Sequence, residues 1–250
     1  MKRILFVFCC FFTATAFTTQ ASQYVGNPSA DNGWSTTDAV SIFGHSGERD
    51  SGGAPESSRL VINTINGSGM DADNKHGAGV PHGSMAMFAT ADGGGGGASS
   101  PNPGTQQTAE RHWVTYALDQ AYDLVGIEIW NHNEVNYWAM GWSNIVVETS
   151  LNNGTDPSDW TEVYSGDLPL APAGGLAPSE SSLTINLGGT PVQYVSLVNT
   201  GIGTDANWNT AAWDTGTNVG LSEVRFLVPE PSTLALLGLG GLAIFLRRRR

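Results

Sequence analysis

The chain has 250 residues and a mass of 26.3 kDa, the size of one large β domain or two small ones. Only 14% of residues are charged, whereas 32 are Gly and 8 are Trp. That composition disfavours wholesale disorder, a coiled coil or a helical bundle, since large apolar side chains are plentiful and helical periodicity is not.

The formal net charge is −12, and six of the 11 Lys and Arg residues lie at the two ends. The middle keeps 5 basic residues against 22 acidic ones once Glu230 is set aside with the tail, a net charge of −17. Such a surface repels nucleic acid and anionic lipid and attracts divalent cations. No nucleic-acid partner is expected.

Met1-Lys2-Arg3 precedes an apolar run from Ile4 to Phe12 and the small residues Ala14, Ala16 and Ala21. This pattern predicts a secretory signal peptide over residues 1–21, with cleavage after Ala16 or Ala21 both open. The apolar run is shorter than the roughly 20 residues needed to span a bilayer. Cys9 and Cys10 are the only cysteines and would leave with it, so the exported chain must fold without a disulfide.

The early middle carries motifs that fail on inspection. Gly44-His45-Ser46-Gly47 lacks the G-x-S-x-G surroundings of a nucleophile turn. Asp71-Ala72-Asp73-Asn74-Lys75 begins like a calcium loop, but Lys75 takes a ligand position, and His82 replaces the closing Glu. His76 and His82 match no zinc spacing. Residues 91–108 hold Gly93 to Gly97 and two prolines, read as an extended flexible loop; no Gly-Lys-Ser/Thr ending makes it a phosphate loop.

From His112 onward, strand-like runs alternate with turns. Strands are expected at 113–118, 124–130, 144–150, 160–164, 182–187, 193–199 and 221–228. Val125, Ile127 and Ile129 should share one face. Asp119-Gln120, Asn152-Asn153-Gly154, Asp156-Pro157, Pro169 to Pro178 and Gly188-Gly189 punctuate them. The prediction is an all-β fold, an antiparallel β sandwich or jelly roll over residues 22–228.

Sugar recognition pairs aromatic faces with Asn, Asp or His hydrogen bonds. The densest such cluster holds Trp130, Asn131, His132, Asn133, Tyr137 and Trp138, and Trp208 stands in a second one. These seven are the candidate ligand-binding residues. The competing reading is that the rings pack the interior and the asparagines satisfy loop backbone.

At the C-terminus, Pro229-Glu230-Pro231 is followed by an apolar run from Leu234 to Leu246 and by Arg247 to Arg250. Prolines end the preceding strand, and the arginines hold the far side in the cytoplasm. This tripartite tail, residues 229–250, resembles the PEP-CTERM sorting signal of exported bacterial proteins. The resemblance implies recognition of Pro229, Glu230 and Pro231 by an exosortase, removal of a transiently membrane-anchored helix, and delivery to the cell surface, outer membrane or extracellular matrix.

Further stretches resemble discoidin-like (coagulation-factor C-type) domains in their order: the Val61 to Gly69 loop, Trp113 to Tyr122, Ile127 to Glu134, Gly141 to Ser150, Trp160, Tyr194 to Leu197 and Gly220 to Phe226. That resemblance implies the galactose-binding-like jelly roll. Ala139-Met140 stand where relatives commonly carry an Arg. It also implies a structural calcium, to which Asn66 and Glu223 could contribute side-chain oxygens beside backbone carbonyls. The reading is an exported, non-enzymatic protein that binds extracellular polysaccharide. A structural matrix protein without a ligand and a secreted glycoside-active enzyme are the alternatives.

Overall fold

A computed structural model describes residues 22–25, 39–46, 60–67, 69–77, 86–89, 111–133, 140–152, 156–171, 177–200 and 218–229. The leader, Tyr137, Trp138, Trp208, Glu230, Pro231 and the apolar tail lie outside these residues. Among the described residues, no helix is long and apolar enough to cross a membrane.

Among the described residues there are eight strands: β1 (Ser22–Tyr24), β2 (Val40–His45), β3 (Ala86–Ala89), β4 (Trp113–Asn131), β5 (Asn144–Ser150), β6 (Thr161–Asp167), β7 (Leu183–Asn199) and β8 (Asn218–Pro229). Every strand pair is antiparallel, as expected. Short 3₁₀ turns occupy Val61–Thr64 and Pro157–Asp159.

The long strands β4 and β7 pair along most of their length and serve two layers. The first half of β4 joins β2, and the second half of β7 joins β5, which is edged by β6. The second half of β4 joins β8, which carries β1 and β3 on its other side. Tyr116 on the first half of β4 meets Phe226 of β8 edge-to-face at 5.5 Å, so the layers share one core. That core includes Ile127, Ile129, Ile145, Leu197 and Val224, each worth about 1.5–3 kcal/mol when fully buried.

Two expected turns prove to be bends within strands. Between the pairs Ala117↔Tyr194 and Tyr122↔Val192, β4 carries extra residues, which include Asp119-Gln120. Further along β7, Gly188 and Gly189 are among the extra residues between the pairs Leu124↔Thr190 and Gly126↔Asn186, and they take positive φ angles of 67° and 83°, which side-chain-bearing residues resist. Bulges bend strands and raise their twist, so the ribbon turns a corner instead of ending. A second register shift between Leu124 and Gly126 moves Leu124 into the core and leaves Val125 only half-buried. The expected single face of Val125, Ile127 and Ile129 is corrected accordingly.

The bend brings both ends of β4 to one end of the sandwich. Asn199 N–H donates to His112 O, Thr200 N–H donates to Asn144 O, and the Asn131 amide bonds Trp142. This upper end therefore gathers residues 112–113, 131–133, 140–144, 198–200 and 218–221. The lower end holds the corner of the ribbon and the last residues of β8.

Candidate functional site

At the upper end, β4 delivers Trp130, Asn131, His132 and Asn133 in sequence. Their side chains are buried, between 0% and 2% exposed. Asn131 works as a backbone clamp. Its Nδ2 donates to Trp142 O at 2.8 Å and Pro169 O at 3.0 Å, while Oδ1 accepts from Trp142 N–H at 3.0 Å and His132 N–H at 2.9 Å. Asn133 Nδ2 donates to His76 O at 3.0 Å and Ala177 O at 3.1 Å, tying two further loops to the same strand end.

Glycines make room for this arrangement. A Cβ on Gly220 would collide with the His132 ring, and one on Gly141 would collide with the Asn131 amide. Gly141 and Gly220 themselves meet in an isolated bridge. The expectation that Trp130, Asn131, His132 and Asn133 face a sugar is therefore corrected: they lie inside, and the two asparagines spend their amides on loop carbonyls. Such closure is what buried polar groups require.

Three segments of the chain begin and end at the upper end. Residues 134–139 run from Asn133 to Met140, and residues 201–217 run from Thr200 to Asn218. Both are rooted at this end on each side, as are residues 90–110 between β3 and His112. Tyr137, Trp138 and Trp208 belong to the first two segments, outside the described residues.

A second polar cluster lies on the face of β8 and β4 turned from the core. Trp130 pairs with Glu223 across the strands, and Glu128 with Arg225. Arg225 is 1% exposed, with its guanidinium 4.8 Å from the Tyr24 ring centroid and 5.2 Å from that of Trp130. It donates to Asn74 Oδ1 at 2.6 Å and, at 3.4 Å, to Glu223 Oε1. Tyr24 Oη donates to Glu128 Oε2 at 2.6 Å. Sequence reading missed this role of Arg225, although a charged pair at i and i+2 in an otherwise apolar strand was a usable sign.

Glu223 is fully buried, and burial pushes its carboxyl up to about 8, although Arg225 and the Gly67 backbone amide both pull it down. Among the described residues its Oε2 atom has no hydrogen-bond partner. An orphaned buried carboxylate oxygen beside the 60–67 loop fits a hard cation with oxygen ligands. Asn66 lies in that loop, its Nδ2 donating to Asn63 Oδ1 at 3.0 Å. Among the described residues, no three His, Cys, Asp or Glu side chains cluster to hold a metal, so carbonyl oxygens would have to supply most ligands.

The rejected motifs are structural too. Ser46 Oγ accepts from Trp113 N–H at 3.1 Å, and Asp71 Oδ1 accepts from Asp73 and Lys75 N–H, both at 2.9 Å. His76 is buried, and His82 lies outside the described residues.

At the lower end, β8 finishes at Pro229, where sequence comparison finds a match over the last residues. Residues 227–250 are a PEP-CTERM protein-sorting motif. The PEP-CTERM motif marks a chain for export and for sorting to the cell surface or beyond, and implies exosortase processing. Its first three residues, Leu227, Val228 and Pro229, belong to β8 and pair with Tyr24, Gln23 and Ser22. No curated protein matches the sequence.

Among solved structures, the chain is similar to CBM32-3 of a family 31 glycoside hydrolase from Clostridium perfringens, at 19% identity and a TM-score of 0.44, covering 75% of this chain and 90% of that one. It is also similar to an F5/8 type C domain from Bacteroides fragilis, at 10% identity and a TM-score of 0.41, covering 76% and 92%. A third is a GH31 CBM32-2 module bound to GalNAc, at 10% identity and a TM-score of 0.42, covering 75% and 95%.

Proposed function

We propose that this is an exported, non-enzymatic protein that binds extracellular polysaccharide through the loops of its upper end. The observation that carries the reading is that the segment bearing Tyr137 and Trp138 and the segment bearing Trp208 both begin and end there, the first beside the Asn131 and Asn133 clamps and the second at Thr200, which bonds Asn144 O. Rigid strands that present aromatic loops are the usual construction of a binding site. Its carbohydrate-binding structural neighbours agree with this reading in fold alone. Calcium held by Glu223, Asn66 and carbonyls of the 60–67 loop would stiffen the domain rather than take part in binding. The apolar tail would anchor the chain in the inner membrane until an exosortase acts at Pro229-Glu230-Pro231.

The test is polysaccharide pull-down and glycan-array binding with Trp138→Ala and Trp208→Ala. Both variants should melt like the parent and lose most binding; undiminished binding in the double variant removes the reading. The burial of Trp130 to Asn133 favours a second reading, a matrix protein without a specific ligand. It predicts no binding by the parent chain to any polysaccharide tried. Release of sugar from a polysaccharide substrate would instead support an enzyme.

A further inference from the structure

The sorting motif does not begin beyond the fold. Its first three residues are strand residues, and Ser22, the residue after the expected leader, lies opposite Pro229. Beyond Leu227, β8 has left its pairing with β4, so among the described strands β1 is the neighbour of Val228 and Pro229. The strands run antiparallel: the chain enters the domain at Ser22 beside the point where it leaves at Pro229. Tyr24 fastens this short pair, with its ring against Arg225, its hydroxyl on Glu128, and Val25 next to it buried in the core and bonded to Phe226 O at 2.8 Å.

We infer that Ser22 and Pro229 form a common membrane-proximal exit, so that leader and sorting tail tether the folded domain at one point and the upper loop end faces away from the bilayer. Only four residues, Glu230 to Thr233, separate Pro229 from the apolar run, a reach of about 14 Å when fully extended. Along β8, Pro229 lies nine positions beyond Gly220, a rise of about 30 Å. The lower end is thereby held against the membrane surface while the tail is embedded, and the upper strand ends, at Asn131 of β4, Asn199 of β7 and Gly220 of β8, face outward. That the outward end is the polysaccharide-binding one rests on the function proposed above; the orientation itself does not.

The domain can fold completely while both apolar segments remain in the bilayer, because closing β1 on β8 requires the two to be neighbours. The embedded tail alone, against the repulsion between the acidic domain and anionic lipid, keeps the lower edge at the lipid surface. Glycan capture can then begin before the tail is removed.

The test uses the full chain with Cys9→Ser and Cys10→Ser, in vesicles of phosphatidylethanolamine and phosphatidylglycerol that carry an acceptor-labelled lipid. A donor dye is placed on Asp123→Cys at the lower end or on Glu180→Cys near the upper end, both exposed positions. Energy transfer to the lipid should be about twofold or more higher from position 123, given the separations above. In the same membranes, Gln23→Cys with Val228→Cys should cross-link, because antiparallel partners lie within disulfide reach. Equal transfer from both positions, higher transfer from position 180, or no cross-link would overturn the inference. None of these readouts depends on polysaccharide, so a failure of the binding reading is seen separately.

Discussion

The side-chain amide of Asn131 pairs with the backbone of Trp142 in both directions, as a neighbouring strand would, donating at 2.8 Å and accepting at 3.0 Å. It thereby joins the end of β4 to the residues entering β5, which share no strand pairing at that point. Asn131→Ala leaves several buried backbone groups without partners, at about 1–3 kcal/mol each. Asn131→Asp keeps the shape but loses the donors and buries a charge. Both should lower the urea midpoint substantially, with Asp at least as damaging as Ala. A midpoint within error of the parent for either would show that the clamp contributes nothing.

Gly220 and Gly141 should be the least replaceable glycines among those described. A methyl group on either meets the His132 ring or the Asn131 amide, and overpacking of a filled interior costs about 1–3 kcal/mol. Gly188→Ala is the contrast. Nothing lies within 4 Å of its Cβ, but its φ is +67°, so only the backbone cost of about 1–2 kcal/mol applies. Thermal melting of the three variants should show Gly220→Ala and Gly141→Ala perturbing the upper-end tryptophan fluorescence as well as stability. Gly188→Ala should change stability alone.

Stability without calcium should fall as pH rises. The Glu223 carboxyl sits at about 8 in the folded chain against an ordinary value of 4.5, so folding takes up a proton between those values. Its contribution is fully present below the ordinary carboxylate value and is lost as pH passes through about 8. The difference in urea midpoint between parent and Glu223→Gln, measured at about pH 5, 7 and 9, should shift steadily against the parent. A bound calcium would hold the carboxylate ionised and flatten the profile. A difference that does not vary with pH in chelator would dismiss the buried protonated carboxyl.

Much of the fold was legible because period-2 burial is a strong signal: Ile127 and Ile129 are buried, with Glu128 between them on the other face. The continuity of β4 and β7 was not, since Asp119-Gln120 and Gly188-Gly189 have the chemistry of a turn whether the chain stops or bends there. Strands β1 to β3 escaped notice because three to six residues such as Ser22-Gln23-Tyr24 carry too little pattern, and only long-range pairing makes them strands. The candidate site was the least legible. An Asn after a strand looks the same whether its amide serves a sugar hydroxyl, as expected of Asn131, or a carbonyl such as Trp142 O, as found.

Trp130 illustrates the consequence for mutagenesis. It is 2% exposed, and its ring covers the Arg225 guanidinium, which is buried among Tyr24, Asn74 and Glu223. Trp130→Ala would open a cavity and uncover one face of a buried cation, at about 3–5 kcal/mol. Trp130→Phe keeps an aromatic face and should recover a large part of that loss. Chemical denaturation should therefore rank parent, Phe and Ala in that order, and any fall in polysaccharide binding should track the unfolded fraction. If Trp130→Ala abolished binding while its denaturation midpoint stayed at the parent value, Trp130 would be a ligand contact after all, and its packing against Arg225 would not be its role.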